Sequence, residues 1–475
     1  MSIAELLDRD GLGIAAAIRA GEASAAEIAE AALARIAASN PVLNAFTDVT
    51  AQRARARAAA VDAARARGAA LGPLAGVPVA AKNLFDLAGL VTRAGSRINR
   101  DNAPAGGDAT AVARLEAAGA VTLGALNMGE YAYDFTGENA HDGPSRNPHD
   151  TGRMTGGSSA GSAGAVAGGL AAIALGSDTN GSIRVPAAFC GTFGLKATFG
   201  RLSRAGAFPF VAALDHVGPL ARSVRDLACA YDAMLGPDAA DPACTARAAE
   251  PVGKAFEAGI SGMRIARLGG WFARNRLPES DAAMAIACDA LGVTAEAVLP
   301  EAERARGAAF LITMAEAGEL HLPRLRTRPA DFDPAVRDRL IAGALLPAAW
   351  VQAAQRFRRW FAAQAEEVFR SHDALLAPCT PMAAPKLGTQ TVTLDGVELP
   401  LRPNIGVYTQ PISFIGLPVA AVPVWPDGSA LPVGIQVIAP AWREDIALRV
   451  ARALESSGVA RAPIGDGTCR STSPR

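Results

Sequence analysis

The stretch MTGGSSAGSAGAVAGGLAAIALGSDTNGSIRVPA, residues 154–187, runs from a Gly/Ser loop into small apolar residues and out through a polar turn. Its core, Ala163 to Leu175, is uninterruptedly apolar or small. A membrane helix needs about 20 such residues, so this run reads as a buried helix followed by a buried strand. The glycines and serines before it permit tight backbone approach and place Ser158 and Ser159 on a loop that opens a helix.

The same alternation recurs on both sides. Ala/Arg/Glu-rich helical segments are separated by the short apolar runs LAGVPVAAK (74–82), AVTLGAL (120–126), LAAIALGS (170–177), GMRIARLGG (262–270), HDALLAPC (372–379) and LPVAAVPVW (417–425). Such a pattern predicts an α/β fold, a sheet covered by helices, without internal repeats. Strand-like runs continue past the Pro-rich, polar segment 235–253, so that segment reads as a surface excursion within one domain spanning 1–475. The tail 462–475 is expected to fray into disorder. The N-terminus, MSIAELLDRDGLGIAAAIRAGEASAAEIAEAAL, has acids where a signal peptide carries bases, and reads as two amphipathic helices.

Composition narrows the partners. Lys+Arg and Asp+Glu both number 46 in a chain of 475 residues that is 50% hydrophobic. A balanced charge provides no field to recruit nucleic acid or an anionic membrane, which leaves a small, locally recognised substrate. The six cysteines are scattered, without a C-x-x-C pair or histidines at metal-ligand spacing. They read as reduced thiols in a cytoplasmic protein that holds no metal.

Three local features carry chemistry. Lysine is scarce, occurring only at Lys82, Lys196, Lys254 and Lys386, and Lys82 ends the apolar run GVPVAAK. Desolvation there lowers a lysine's pKa toward that of a general base; the plainer alternative is a strand-end lysine that snorkels to solvent. Ser158 and Ser159 sit in GGSSAG, where a serine also serves as an ordinary N-cap. Ser182 follows Thr179, Asn180 and Gly181 in a turn whose successive N–H groups can converge on an anion. A turn serine beside a glycine chosen for its φ explains the same letters.

Taken in order, G-x-P-x-x-x-K, then G-G-S-S, then G-S-I-R, with Ser182 standing 24 residues after Ser158, resemble the amidase signature family. The resemblance implies an α/β/α fold around a mixed sheet and hydrolysis of a carboxamide, without cofactor, through a Ser-Ser-Lys triad. Matched onto this chain, Ser182 is the nucleophile, Ser158 (on a cis peptide bond) the bridging serine and Lys82 the base. The backbone N–H groups of Thr179, Asn180, Gly181 and Ser182 form the oxyanion hole. Two letters depart from the family pattern: Ala160 and Asn180 each stand where glycine is usual. YAYDFTGENAH, SDTNGSIRVPAAFCG and RPNIGVYTQPISFIGLP look like the family's 1-carboxybiuret hydrolases. That resemblance implies a ureide substrate, a homodimer and a small helical partner subunit. The glutaminase subunits of tRNA-dependent amidotransferases share the triad and stand as one alternative; a catalytically minor amidase-fold subunit of a complex is the other.

A rival reading takes Gly157-Ser158-Ser159-Ala160-Gly161 as the G-x-S-x-G elbow of α/β-hydrolases, with Ser159 as nucleophile. An elbow needs a hydrophobic strand just before it, and SRNPHDTGRMTGG is polar. A carboxylated ureide needs a cation in its pocket, and HLPRLRTRPADFDPAVRDRL (321–340) offers several arginines without saying which one turns inward. Tyr131, Tyr133, His141, Tyr408 and Gln410 lie in segments that resemble substrate-lining regions; core packing explains them equally well.

Overall fold

The computed structural model describes residues 2–468. Among these residues one large mixed sheet takes strands β1 (Phe46–Val49), β2 (Pro78–Lys82), β3 (Val121–Leu126), β4 (Ile173–Asp178), β5 (Phe193–Lys196), β6 (His216–Ala221), β7 (Ile265–Leu268), β8 (Glu296–Ala297), β9 (Ala374–Pro378), β10 (Val419–Val424) and β11 (Val433–Ile438). Their spatial order is β1-β3-β2-β4-β6-β5-β10-β11-β9-β7-β8. The β3–β2, β2–β4, β9–β7 and β7–β8 pairs are parallel and the remaining pairs antiparallel. All six apolar runs picked out above contribute a strand. The central strands are buried on both faces, which is why they read as continuous Val/Ile/Leu/Ala and not as an alternation.

Strand order places the site. From β2 the chain crosses to β3 on one side, then returns to β4 on the other, so β2 and β4 lie side by side and parallel. Their carboxyl ends, Lys82 and Asp178, therefore emerge at the same edge, at a point where the strand order reverses. Open α/β sheets bind ligands at such a crevice. The Ala160–Ala167 helix that precedes β4 is buried along its whole length, and its Ala/Gly/Ser composition lets it lie close against the sheet.

The N-terminus forms three helices, Ile3–Leu7, Gly11–Ala20 and Ala25–Leu43, where two were expected. Asp10 breaks the first stretch by capping the Gly13 N–H with its side chain (3.0 Å), a local bond that competes with helix continuation. Residues 235–253 are mostly exposed, anchored by Asp241 on the Arg204 guanidinium (3.1 Å). The expected fraying of the tail does not extend to residues 462–468. Gly465 N–H donates to Ala167 O, Gly467 N–H to Pro148 O and Thr151 N–H to Thr468 O (2.9, 2.9 and 3.0 Å). These bonds repay the ordering entropy that composition alone left unopposed; residues 469–475 lie outside the described residues.

Helices Ala302–Thr327, Pro334–Ala344 and Ala348–Ser371 cover the crevice side. The first two pack backbone to backbone: a Cβ on Gly343 would stand 1.9 Å from Met314 O. No helix among the described residues is long and apolar enough to cross a membrane.

Candidate active site

Lys82 closes β2 with its side chain fully buried. Its ammonium donates to three hydroxyls, Ser158 Oγ (2.7 Å), Ser177 Oγ (2.8 Å) and Ser159 Oγ (3.1 Å). All three acceptors are neutral, and among the described residues no carboxylate lies within ion-pair range of Lys82. Burial pulls its pKa down to about 7, against the opposing pull of the Asp178, Asp215 and Asp134 charges. Of the two readings of this lysine, the geometry excludes the snorkelling one.

Ser158 is buried and follows a cis Gly157–Ser158 peptide bond. Ser159 Oγ is committed to the adjacent strand, donating to Ser177 O and accepting from Ser177 N–H, both at 3.2 Å. The residues before it form Asp150–Met154, a short strand outside the central sheet that pairs with Arg146–Asn147 and bridges to Lys386. An elbow would need a strand of the central sheet there, so the Ser159 reading lacks its scaffold.

The turn that follows β4 is held from behind by a buried ionic lattice. Arg184 donates to Asp178 from Nε (2.9 Å) and Nη2 (2.8 Å), to Gln436 Oε1 (2.6 Å), to Thr409 O (3.1 Å) and to Ser413 Oγ. Burial by itself would raise the Asp178 carboxyl, yet Arg184 holds it well below the usual carboxylate range. Ile183 N–H also donates to Asp178 (3.2 Å).

Three bonds set the peptide planes of the turn. His216 Nδ1 shares its proton between Leu214 O (2.7 Å) and Asp178 O (3.0 Å), Thr409 Oγ1 donates to Asn180 O (2.6 Å) and Val185 N–H to Gly181 O (2.7 Å). In a trans peptide the N–H points opposite to its carbonyl. The N–H groups of Thr179, Gly181 and Ser182 are thereby aimed away from the Asp178, Asn180 and Gly181 carbonyls in fixed directions. Gly181 has φ +140°, and a Cβ there would fall 2.2 Å from Thr409 Oγ1, so both backbone and space require glycine. Thr179 is positioned through its hydroxyl on Asp215 (2.6 Å). Asn180, the departure from the family pattern, donates from Nδ2 to Thr313 Oγ1 (2.8 Å) on the Ala302–Thr327 helix.

Ser182, Thr179 and Asn180 line one pocket together with Tyr133, Gln410 and Arg339. Of the five candidate substrate-lining residues, Tyr133 and Gln410 belong to it. Tyr131 donates instead to Asn99 (3.1 Å) and packs on His321, His141 bonds Glu130 (3.0 Å), and Tyr408 donates to Arg274 O. Ser177, Thr313 and Arg402 had escaped the sequence reading. Only Ser177 carried a signal: it ends the apolar run that leads into the Ser182 turn.

Fold and site together define an amidase-signature hydrolase: the Amidase family model matches residues 27–448, and the chain belongs to that family. It is a hydrolase acting on amide C–N bonds. The chain is similar to the 1-carboxybiuret hydrolase component AtzE of Pseudomonas sp. (strain ADP), at 53% identity over 445 residues, covering 94% of this chain and 97% of that one. It is 39% identical to a glutamyl-tRNA(Gln) amidotransferase component of Roseiflexus castenholzii (strain DSM 13941 / HLO8), covering 92% and 93% of the two chains. Among solved structures, one described as a vestigial protein complex bearing on the origins of an s-triazine catabolic enzyme has a TM-score of 0.95 at 52% identity, covering 96% of this chain and 100% of that one. A bacterial aryl acylamidase of the same family has a TM-score of 0.86 at 26% identity, covering 95% and 97%.

Proposed function

We propose that the protein hydrolyses the terminal amide of a small ureide of the 1-carboxybiuret kind, releasing ammonia through an acyl-enzyme on Ser182. The observation that carries this reading is the 2.7 Å contact between a buried Lys82 and Ser158. With its pKa near 7, Lys82 is neutral in a large fraction of molecules at physiological pH. A neutral amine keeps two donors for Ser159 and Ser177 and offers its lone pair to the Ser158 hydroxyl. Ser158 in turn takes the proton of Ser182 as Ser182 Oγ attacks the amide carbon. The backbone N–H groups of Thr179, Asn180, Gly181 and Ser182 receive the oxyanion. Lys82 returns the proton through Ser158 to the leaving nitrogen. Water, activated by the same pair, then hydrolyses the ester.

Similarity at 53% identity supports the ureide, and 39% identity supports the glutaminase alternative less strongly. We extend the proposal to a single domain over 1–475, working in the cytoplasm as a homodimer with a small helical partner; light scattering of the chain alone and coexpressed with that partner tests the assembly. The chemistry is tested by ammonia release from carboxybiuret, biuret, allophanate, glutamine and simple amides. Ser182→Ala is expected to remove turnover while leaving the melting temperature nearly unchanged. Normal amidase activity in that variant would sink the assignment, and activity on glutamine alone would favour the alternative.

A further inference from the structure

The arginines of HLPRLRTRPADFDPAVRDRL are sent to different fates. Arg328 pairs with Asp101 and Asp331 (2.7 Å each) and Arg337 with Asp338 (2.8 Å). Arg324 lies over the Phe208 ring (5.6 Å). Arg339 instead turns from the Pro334–Ala344 helix into the pocket that Ser182 lines. Its guanidinium lies 3.5 Å over the centroid of the Tyr133 ring and donates from Nη1 to Tyr133 O (2.9 Å).

Among the described residues no carboxylate lies within ion-pair range of Arg339. The nearby acid, Asp134, is already taken by Arg402, by the Thr136 hydroxyl and by the Gly137 N–H (2.6 Å). Stacking on Tyr133 and one bond to a carbonyl leave most of a five-donor fork unused. Burial lowers the Arg339 pKa, and the neighbouring Arg402 charge adds to that effect. A partly buried cation with no ion-pair partner of its own is costly, and an incoming anion relieves the cost.

A second atom of the pocket is also short of a partner. Thr313 donates its hydroxyl to Ala309 O (2.8 Å), so toward Asn180 it acts only as an acceptor, and this fixes the Asn180 amide with Nδ2 toward Thr313. Asn180 Oδ1 is left buried with no hydrogen-bond partner among the described residues. A buried, unpaired acceptor in a ligand pocket asks for an N–H from the ligand.

We infer that Arg339 and Asn180 are the specificity residues of this pocket, Arg339 taking a carboxylate on the non-leaving end of the substrate and Asn180 Oδ1 accepting a ureide N–H. The inference rests on the hydrolytic reading above and names the groups that select its substrate. An anionic ureide satisfies both residues; a neutral ureide satisfies only Asn180, and an anionic amide without the ureide N–H only Arg339.

Two substrate pairs test it: 1-carboxybiuret against biuret, and malonamate against malonamide. The unaltered protein is expected to prefer the anionic member of each pair. In Arg339→Gln the anionic-to-neutral ratio of kcat/KM is expected to fall about 100-fold, mostly through KM. In Arg339→Lys, which keeps the charge but loses the planar fork, the ratio falls about tenfold. An unchanged ratio in both variants, or no anionic preference in the unaltered protein, overturns the role of Arg339. If the Gln variant does not fold, the Lys ratio decides. Asn180→Ala is expected to cost carboxybiuret more than malonamate, whose methylene offers no N–H at that point; equal losses overturn the role of Asn180. Calorimetric binding of malonate to Ser182→Ala, with and without Arg339→Gln, reads anion recognition without turnover. Malonate binding that depends on Arg339 in a protein that hydrolyses none of these amides would refute the hydrolytic reading alone.

Discussion

Arg184 and Asp178 form an ion pair with both side chains wholly removed from solvent, directly behind the turn that carries Ser182. The two contacts, 2.9 and 2.8 Å, make a planar fork on one carboxylate, and the remaining donors are spent on Gln436, Thr409 and Ser413. Every charge and donor in the lattice is matched. The turn is therefore anchored to a site that cannot shift without exposing a buried charge.

Removing one partner of such a pair strands the other. Arg184→Gln is expected to destabilise the protein by about 3–5 kcal/mol, measured by denaturant unfolding, and to lower kcat in whatever fraction remains folded. A loss below about 1 kcal/mol would show that Asp178 finds another partner or a proton.

Lys82 links activity and stability to pH in a predictable direction. Its folded pKa of about 7 lies below the usual 10.5, so the base form grows as pH rises, and kcat/KM is expected to climb through a limb near pH 7. Between about pH 7 and 10.5 the unfolded chain holds a proton on this residue that the folded one lacks. Stability gained from Lys82 therefore rises with pH across that window, by up to about 1.4 kcal/mol per unit, and is lost as pH falls toward 7. Lys82→Met is expected to be inactive, more stable at pH 7, and flatter in its stability profile from pH 7 to 10. Lys82→Arg, which cannot lose its proton, is expected to be inactive as well. A wild-type profile as flat as that of Lys82→Met would contradict a depressed pKa.

His321 is buried between Tyr131, Phe208 and Phe332, 4.0 Å from the Tyr131 ring centroid, and neither ring nitrogen has a hydrogen-bond partner among the described residues. Burial, with Arg324 beside it, pushes its pKa down to about 3. The unfolded chain binds this proton near pH 6.5 and the folded one resists it, so stability is lost as pH falls from about 6.5 toward 3. His321→Phe removes both the unpaired nitrogens and the titration. It is expected to raise stability by about 1–3 kcal/mol and to resist acid better than the unaltered protein in urea melts at pH 5. A destabilised variant would mean that the imidazole makes bonds this geometry does not hold.

Strands with long apolar runs were legible because burial on both faces leaves a local compositional mark. Punctuated ones were not: Gly194 interrupts the four residues of β5 and Gly218-Pro219 those of β6, and their neighbours in the sheet supply the pairing. Lys82, Ser158 and Ser182 stood out because their chemistry is written in local contrast, a lone lysine after an apolar run and serines among glycines. Arg339 had no such mark. In sequence it is one arginine among several on a charged helix, and only the packing of that helix on Ala302–Thr327 turns it toward the pocket.

The chain's letters by themselves determined the class of fold and the family resemblance and marked three candidate residues, since apolar runs and short motifs in a fixed order are written in the sequence itself. Tertiary structure alone decided that Lys82 is desolvated against three hydroxyls, that the turn's carbonyls are held from behind, and that one arginine of the 321–340 stretch faces Ser182. Those facts depend on groups brought together across dozens to hundreds of residues. The free energy of desolvation and of hydrogen bonding, which sets a pKa or selects a ligand, is a property of that enclosure and not of the residue.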